Sequence, residues 1–218
     1  GETHLAVDPN NPLHLVAGAN TSFKDPNSAC QAPAPNAAKT MGTIALYFST
    51  DGGQNWIYRC APWPASLTGG ITGATKFLGS DPAVAFDAEG NAYAAYMLIS
   101  ATASNDSQAA IVVARSTDDG NTWTPWGTAS MWGGNDKVMI AIDTKVHLNR
   151  VYLIWSRDTG TGDLTRISWS ENGTAWHPFS FGPNASADDQ LGGSLAVGDD
   201  GKVYAMWNSA SDFGAGDR

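Results

Sequence analysis

Ser49-Thr50-Asp51-Gly52-Gly53-Gln54-Asn55-Trp56 and Ser116-Thr117-Asp118-Asp119-Gly120-Asn121-Thr122-Trp123 are two copies of one octet, S-T-D-x-G-x-x-W. A mark repeated in this way means an array of similar units. Its composition is that of a tight hairpin turn. The carboxylate of Asp51 or Asp118 can accept hydrogen bonds from backbone N–H groups further along the turn. The hydroxyl of Ser49 or Ser116 can add a local bond. Gly53 and Gly120 stand where the chain needs positive φ, which costs glycine nothing. Trp56 and Trp123 open the return strand and lay a ring over the turn. A third, degenerate copy aligns Gly173 and Trp176 with the glycine and tryptophan. That alignment puts Glu171 at the Asp position and Trp169 at the Ser position.

A second repeat precedes each octet. It reads Leu5–Asp8 with Leu13–Gly18, then Val84–Tyr93, then Ile140–Asp143 with Val151–Trp155, then Leu195–Tyr204. Each is an apolar strand, an Asp/Gly/Asn turn and a second apolar strand, which is a hairpin signal. The turn residue recurs at Asp87, Asp143 and Gly198; the longer interval from Asp8 to Asp87 contains an inserted loop, Thr21–Lys39. Third strands, Gly42–Ser49, Ala109–Ser116 and Asp163–Ser170, lead into the octets. The expected fold is all-β, a β-propeller of four-stranded blades. Blades are expected at about 1–65, 78–130 and 135–182, with an incomplete one at 188–218, as a single partial propeller domain. Such a half-ring exposes two edges. The expectation is therefore the N-terminal half of a six- or seven-bladed propeller, or two chains pairing into one ring. The chain begins at Gly1 with no visible signal peptide, as expected of a mature product or a fragment.

Composition narrows the function. Acids outnumber bases 21 to 12, for a formal charge of -9. Nucleic acid and anionic membrane surfaces demand basic patches, so neither is the expected partner. No apolar run approaches the roughly 20 residues that span a bilayer. His4, His14, His147 and His177 lack metal-ligand spacing, so no metal and no cofactor are expected. Cys30 and Cys60 bracket the first octet. A disulfide between them would contribute about 3–4 kcal/mol in the chain-entropy model; the alternative is two buried thiols. A disulfide would place the protein outside the cytoplasm, as an extracellular, periplasmic or cell-surface protein.

The octet resembles the Asp-box (BNR repeat) of the sialidase-like β-propeller superfamily, where S-x-D-x-G-x-x-W links the third and fourth strands of a blade. The resemblance covers essentially the whole chain and implies that Asp51 and Asp118 are structural. It places the octets opposite the active-site face. Sialidases carry three arginines, a Tyr–Glu pair and an Asp acid/base, the first arginine in an R-I-P motif. This chain has no R-I-P. Arg59 follows the first octet, Arg115 and Arg150 fall near the octet face, and Arg166 is in a third strand.

On the opposite face, an acid enters every blade: Glu2, Asp81, Asp136 and the pair Asp188-Asp189. Carboxylates gathered at one channel mouth would raise one another's pKa values. They would also supply the acid and base of glycoside hydrolysis, with Asp81, Asp136 and Asp189 as the catalytic candidates. The same acids could instead cap strand ends. Second-to-third-strand connections add Asn20, Lys24, Asp25, Asn105, Asp106, Arg157, Asp158 and Asn208. Arg157, with Asp158 and Asn208 beside it, is the candidate to clamp a substrate carboxylate; the alternative is an ion pair with Asp158 or Asp136. Trp63, Trp126 and Trp132 either stack on sugars or pack between blades. Two functions follow. One is a non-catalytic propeller, secreted or on the cell surface, that binds glycan or protein or belongs to a larger assembly. The other is a sialidase-like glycoside hydrolase. The incomplete catalytic set favours the first.

Overall fold

The computed structural model describes residues 3–21, 30, 39–40, 42–160, 162–179 and 192–208. Lys24, Asp25, Glu2, Asp188 and Asp189 lie outside the described residues. Among the described residues the regular structure is all-β apart from one 3-10 turn, Ala65–Leu67. Strands β1 (Thr3–Val7) and β2 (Leu15–Asn20) form a hairpin. Strand β3 (Lys39–Thr40) leaves to join the next sheet. Strands β4 (Ile44–Ser49) and β5 (Ile57–Cys60) complete a four-stranded sheet in the order β1-β2-β4-β5. Then come β6 (Ala74–Phe86), β7 (Ala92–Thr102), β8 (Ser107–Ser116), β9 (Thr124–Asp143), β10 (Arg150–Asp158), β11 (Asp163–Ser170) and β12 (His177–Pro178). With β3 at the edge they make one eight-stranded sheet. A separate hairpin pairs β13 (Gly193–Val197) with β14 (Val203–Trp207).

The eight-stranded sheet arises because β9 serves two units. Its first half pairs with β8 through Thr124–Gly133, and its second half pairs with β10 through Gly134–Asp143. The sequence places a connection between blades at 131–134; the structure runs one strand through it. Gly133 and Gly134 permit this. A Cβ on Gly133 would lie 2.9 Å from Arg157 Nη2, and one on Gly134 would lie 2.8 Å from Asp158 Cβ.

Two cores separate three units. One holds Val16, Leu46, Phe48, Phe86, Tyr96, Leu98 and Val112, between the first and second units. The other holds Tyr93, Met97, Ile111, Val113, Ile140, Leu153 and Trp155, between the second and third. Strand β7 feeds both. Tyr93, Ala95 and Met97 face one core, and Ala94, Tyr96 and Leu98 face the other, by the two-residue period of a strand. Burial on both faces explains the nearly unbroken apolar runs of the sequence. Trp63, Trp123 and Trp132 pack against the first core, and Trp126 and Trp176 against the second. At the two ends of the array, Leu5, Val7, Tyr204 and Met206 are exposed.

The octet turns are built as their composition requires. Ser49 Oγ donates to Asp51 Oδ1 (2.8 Å) and accepts from Gly53 N (2.9 Å). Asn55 donates to Asp51 through its backbone N (2.8 Å) and side-chain Nδ2 (2.7 Å). Trp56 Nε1 donates to Gly53 O (3.0 Å). In the second copy Gly120 N donates to Ser116 Oγ, and Thr122 donates twice to Asp118. The third copy corrects the sequence alignment. Gly173 N donates to Ser170 Oγ (2.9 Å), and Ala175 N donates to Asn172 Oδ1 (3.0 Å). Ser170 and Asn172 therefore hold the turn, in a copy one residue shorter. Glu171 points elsewhere and pairs with Arg150, which also stacks over Trp169 at 4.1 Å. Asn172 keeps the acceptor oxygen that the turn needs and dispenses with the charge.

The first-to-second-strand turns use the same device. Asp143 is fully buried and accepts from the backbone N–H groups of Lys145, Val146 and His147. Burial pushes its carboxyl up, but these donors outweigh it and hold the pKa at about 2. The donated bonds of Asn55, backbone first, hold Asp51 at about 2 as well. A depressed folded pKa means the folded state binds fewer protons. These two groups therefore contribute stability that is complete above the ordinary carboxylate value of about 3.9 and is lost as pH falls toward 2. The expected result is a melting temperature that drops across pH 4 to 2 and drops less steeply in Asp143→Asn. An equal slope in the variant would show that this turn does not carry the acid sensitivity.

Candidate functional site

The first strands of the successive units stand side by side: β1 packs on β6, β6 on the second half of β9, and that half on β13. Two of the ladders are interrupted by a bulge at equivalent places. Register shifts occur between Ser80 and Ala83, paired with Met97 and Ala95, and between Ile154 and Ser156, opposite Asp136–Met139. The bulged residues have positive φ: Asp81 at 53° and Lys137 at 55°, with Gly192 at 65° just ahead of β13. Each lies six residues before its turn residue, at Asp87, Asp143 and Gly198, so the three positions are equivalent. Positive φ at non-glycine residues is costly, and such strain gathers at functional sites.

A bulge frees a backbone N–H, which must find another partner. Asp81 N donates to Asn20 Oδ1 (3.0 Å), from the end of β2 in the preceding unit. Gly192 N likewise donates to Ser156 Oγ (3.2 Å), from β10. Ser80 completes the first arrangement, donating to Asp81 Oδ1 (2.6 Å) and accepting from Asn20 Nδ2 (3.3 Å).

Asp81, Lys137 and Gly192 converge on one cavity of about 170 Å³, lined also by Thr3, His4, Pro82, Val138, Met139 and Gly193. His4 Nδ1 accepts from Val84 N (3.1 Å), so its proton sits on Nε2. Burial lowers the His4 pKa and keeps the ring neutral. The volume is below the roughly 300–1,000 Å³ of sites that enclose drug-sized ligands.

Of the sequence candidates among the described residues, Asp81 alone lines this cavity. Asp136 occupies the position equivalent to Ser80, paired with Ser156, and does not line it. The equivalent of Asp81 in that unit is Lys137, so an ammonium stands where the sequence placed a carboxylate. Arg157 is also placed differently. Its Nη1 donates to Ser130 Oγ (3.3 Å), and it lines a groove between the second and third units rather than the cavity. It makes no ion pair with a described residue, so neither Asp158 nor Asp136 neutralises it. Asp158 Oδ1 accepts from Gly160 N (2.6 Å) in the β10–β11 turn. Asn208 is exposed beyond β14. Lys137 and His4 escaped the sequence reading, although counting six residues back from each turn Asp finds Lys137. Among the described residues no cluster of His, Cys, Asp and Glu could hold a metal ion.

No protein family matches the chain by sequence, and no curated protein does. Solved structures match it by fold. A Penicillium chrysogenum α-L-arabinanase complexed with arabinobiose superposes with a TM-score of 0.62 at 15% identity, over 96% of this chain and 57% of that one. A Dyadobacter fermentans protein of unknown function gives 0.59 at 15% identity, over 97% and 61%. A Hadza microbial sialidase gives 0.56 at 15% identity, over 95% and 39%. The chain thus has the fold of propeller glycosidases and spans less than two thirds of each of these proteins. The likeness extends to the fold and no further.

Proposed function

We propose that the chain is a glycan-binding module of a propeller protein and that its cavity at the first-strand bulges receives a sugar without cleaving it. The observation that carries this reading is the identity of the three equivalent positive-φ residues: one acid, one ammonium and one glycine. Hydrolysis by the usual route needs two carboxyl groups across the scissile bond. Asp81 is the only carboxylate among the described residues lining the cavity. A carboxylate, an ammonium and a neutral imidazole are instead suited to hydrogen-bonding hydroxyls. The Cys30–Cys60 disulfide fits an oxidising compartment, secreted or at the cell surface. Among the described residues no helix is long and apolar enough to cross a membrane. Membership of a larger propeller assembly fits the exposed Leu5, Val7, Tyr204 and Met206.

The rival reading, a glycoside hydrolase, takes support from the arabinanase and sialidase names among the structural neighbours. One experiment separates the two. Arabino-oligosaccharides and sialyl-lactose are titrated calorimetrically, and the same mixtures are assayed for released sugar. The expected result is binding weakened about tenfold or more by Asp81→Asn, with no released sugar. Sugar release by the native chain that Asp81→Asn abolishes would establish the hydrolase instead.

A further inference from the structure

The groove that holds Arg157 is larger than the cavity, at about 380 Å³. It lies between the second and third units, and Trp155, Arg157, Arg166, Ser168 and Trp176 supply its chemistry. Trp155 is directly opposite Arg166 across β10 and β11, and Arg157 is opposite Leu164. Arg157 and Arg166 are thus diagonal neighbours on one sheet face, about 7–8 Å apart at the backbone. No carboxylate is among the described lining residues, in a chain whose net charge is -9. Arg166 is exposed, and its side chain makes no hydrogen bond or ion pair with a described residue.

The groove is also built rather than incidental. Trp155 is buried, and its Nε1 donates to Asn135 Oδ1 (3.0 Å). Buried Asn135 donates in turn to Ala109 O (2.7 Å), from the second unit. Ser130 Oγ, which receives Arg157 Nη1, lies 3.3 Å from Asn135 Oδ1 as well. Gly133 leaves the space that the guanidinium fills. A chain of side chains from two units therefore holds one cation in place beside an aromatic floor. Trp176 forms a further aromatic wall, fixed by its Nε1 bond to Gly173 O (3.0 Å) and its edge contact with Trp126.

We propose that this groove binds an acidic saccharide, a sugar residue whose carboxylate is received by Arg157 and Arg166 while its apolar ring face lies on tryptophan. Guanidinium pairs receive carboxylates with charge-assisted, bidentate bonds. Tryptophan offers the flat apolar surface that a pyranose face needs. The site is separate from the first-strand cavity and does not depend on that cavity's function.

The test titrates trigalacturonate and neutral galactotriose into the native chain, following tryptophan fluorescence and heat. Trigalacturonate is expected to bind at least tenfold more tightly. Arg166→Ala, at an exposed and unpaired site, is expected to weaken it at least tenfold, and Arg166→Lys to recover only part. Asp81→Asn is expected to leave this binding unchanged. Equal affinity for the two sugars, or full affinity in folded Arg166→Ala, would overturn the proposal. A hexaglutamate peptide binding as tightly as trigalacturonate would overturn the saccharide assignment. Loss of binding in Asp81→Asn alone would move the site to the cavity.

Discussion

Gly173→Ala is expected to destabilise the protein by on the order of 3 kcal/mol or more, read as a lower urea midpoint at unchanged slope. Two effects add. Gly173 has φ at +77°, where an L side chain costs roughly 1–2 kcal/mol. A Cβ there would also lie 2.0 Å from Trp126 O and 2.8 Å from Trp126 C, both backbone atoms of β9. Trp126 cannot yield easily, because its neighbours Pro125 and Gly127 pair with Ala114 and Val113 of β8. The contact is reciprocal: a Cβ on Gly127 would meet Gly173 O at 2.3 Å. Gly53 supplies the control. Its φ is +89°, but a Cβ would meet nothing nearer than Leu15 Cδ1 at 3.4 Å. Gly53→Ala is therefore expected to lose only the backbone term, about 1–2 kcal/mol. Equal losses in the two variants would show that the close approach between units carries no energy.

The paired substitution Cys30→Ser with Cys60→Ser is expected to cost about 3–4 kcal/mol. The bridge closes a loop with a sequence separation of 30 and ties Cys30 to the end of β5. Its main action is on the unfolded chain, whose freedom returns when the link is removed. The native fold keeps other ties at this corner. Thr43 N donates to Cys30 O, and Ala61 N donates to Ile44 O. Native strand content should therefore survive, with the loss showing in the denaturation midpoint. A dithiothreitol titration of the unsubstituted protein should reproduce that shift. A shift below about 1 kcal/mol would mean that the unfolded chain is already compact around this loop.

The octets were legible because their chemistry closes within eight residues. A serine, an acceptor two positions on, a glycine and a tryptophan satisfy one another locally, whatever lies across the core. The same locality exposed the Asp turns at 87 and 143. It failed at the third octet, where one residue is missing and Asn172 replaces the acid; register over a gap is set by hydrogen bonds that a sequence does not display. The reason for the glycines was legible only in part. Positive φ explains Gly53, whereas Gly120 and Gly173 are also wedged against Phe48 and Trp126 of the preceding unit.

The site was less legible for a related reason. Strand ends can be read, but the direction of a side chain at a strand end depends on the bulge. One extra residue turns every later side chain to the other face. The bulges at Asp81 and Lys137 thus decide that Asp81 enters the cavity and Asp136 does not. Arg157 sits at the end of β10 as the sequence implies. Its guanidinium is drawn outward by Ser130 and the space over Gly133, residues 27 and 24 positions away and in another unit's strand. The sequence by itself determined the all-β class, the repeating unit and the turns, because those follow from short-range periodicity and backbone hydrogen bonding. Tertiary structure alone decided that β9 serves two units and which charges share a cavity. Those outcomes depend on how neighbouring units approach, and no single unit encodes that distance.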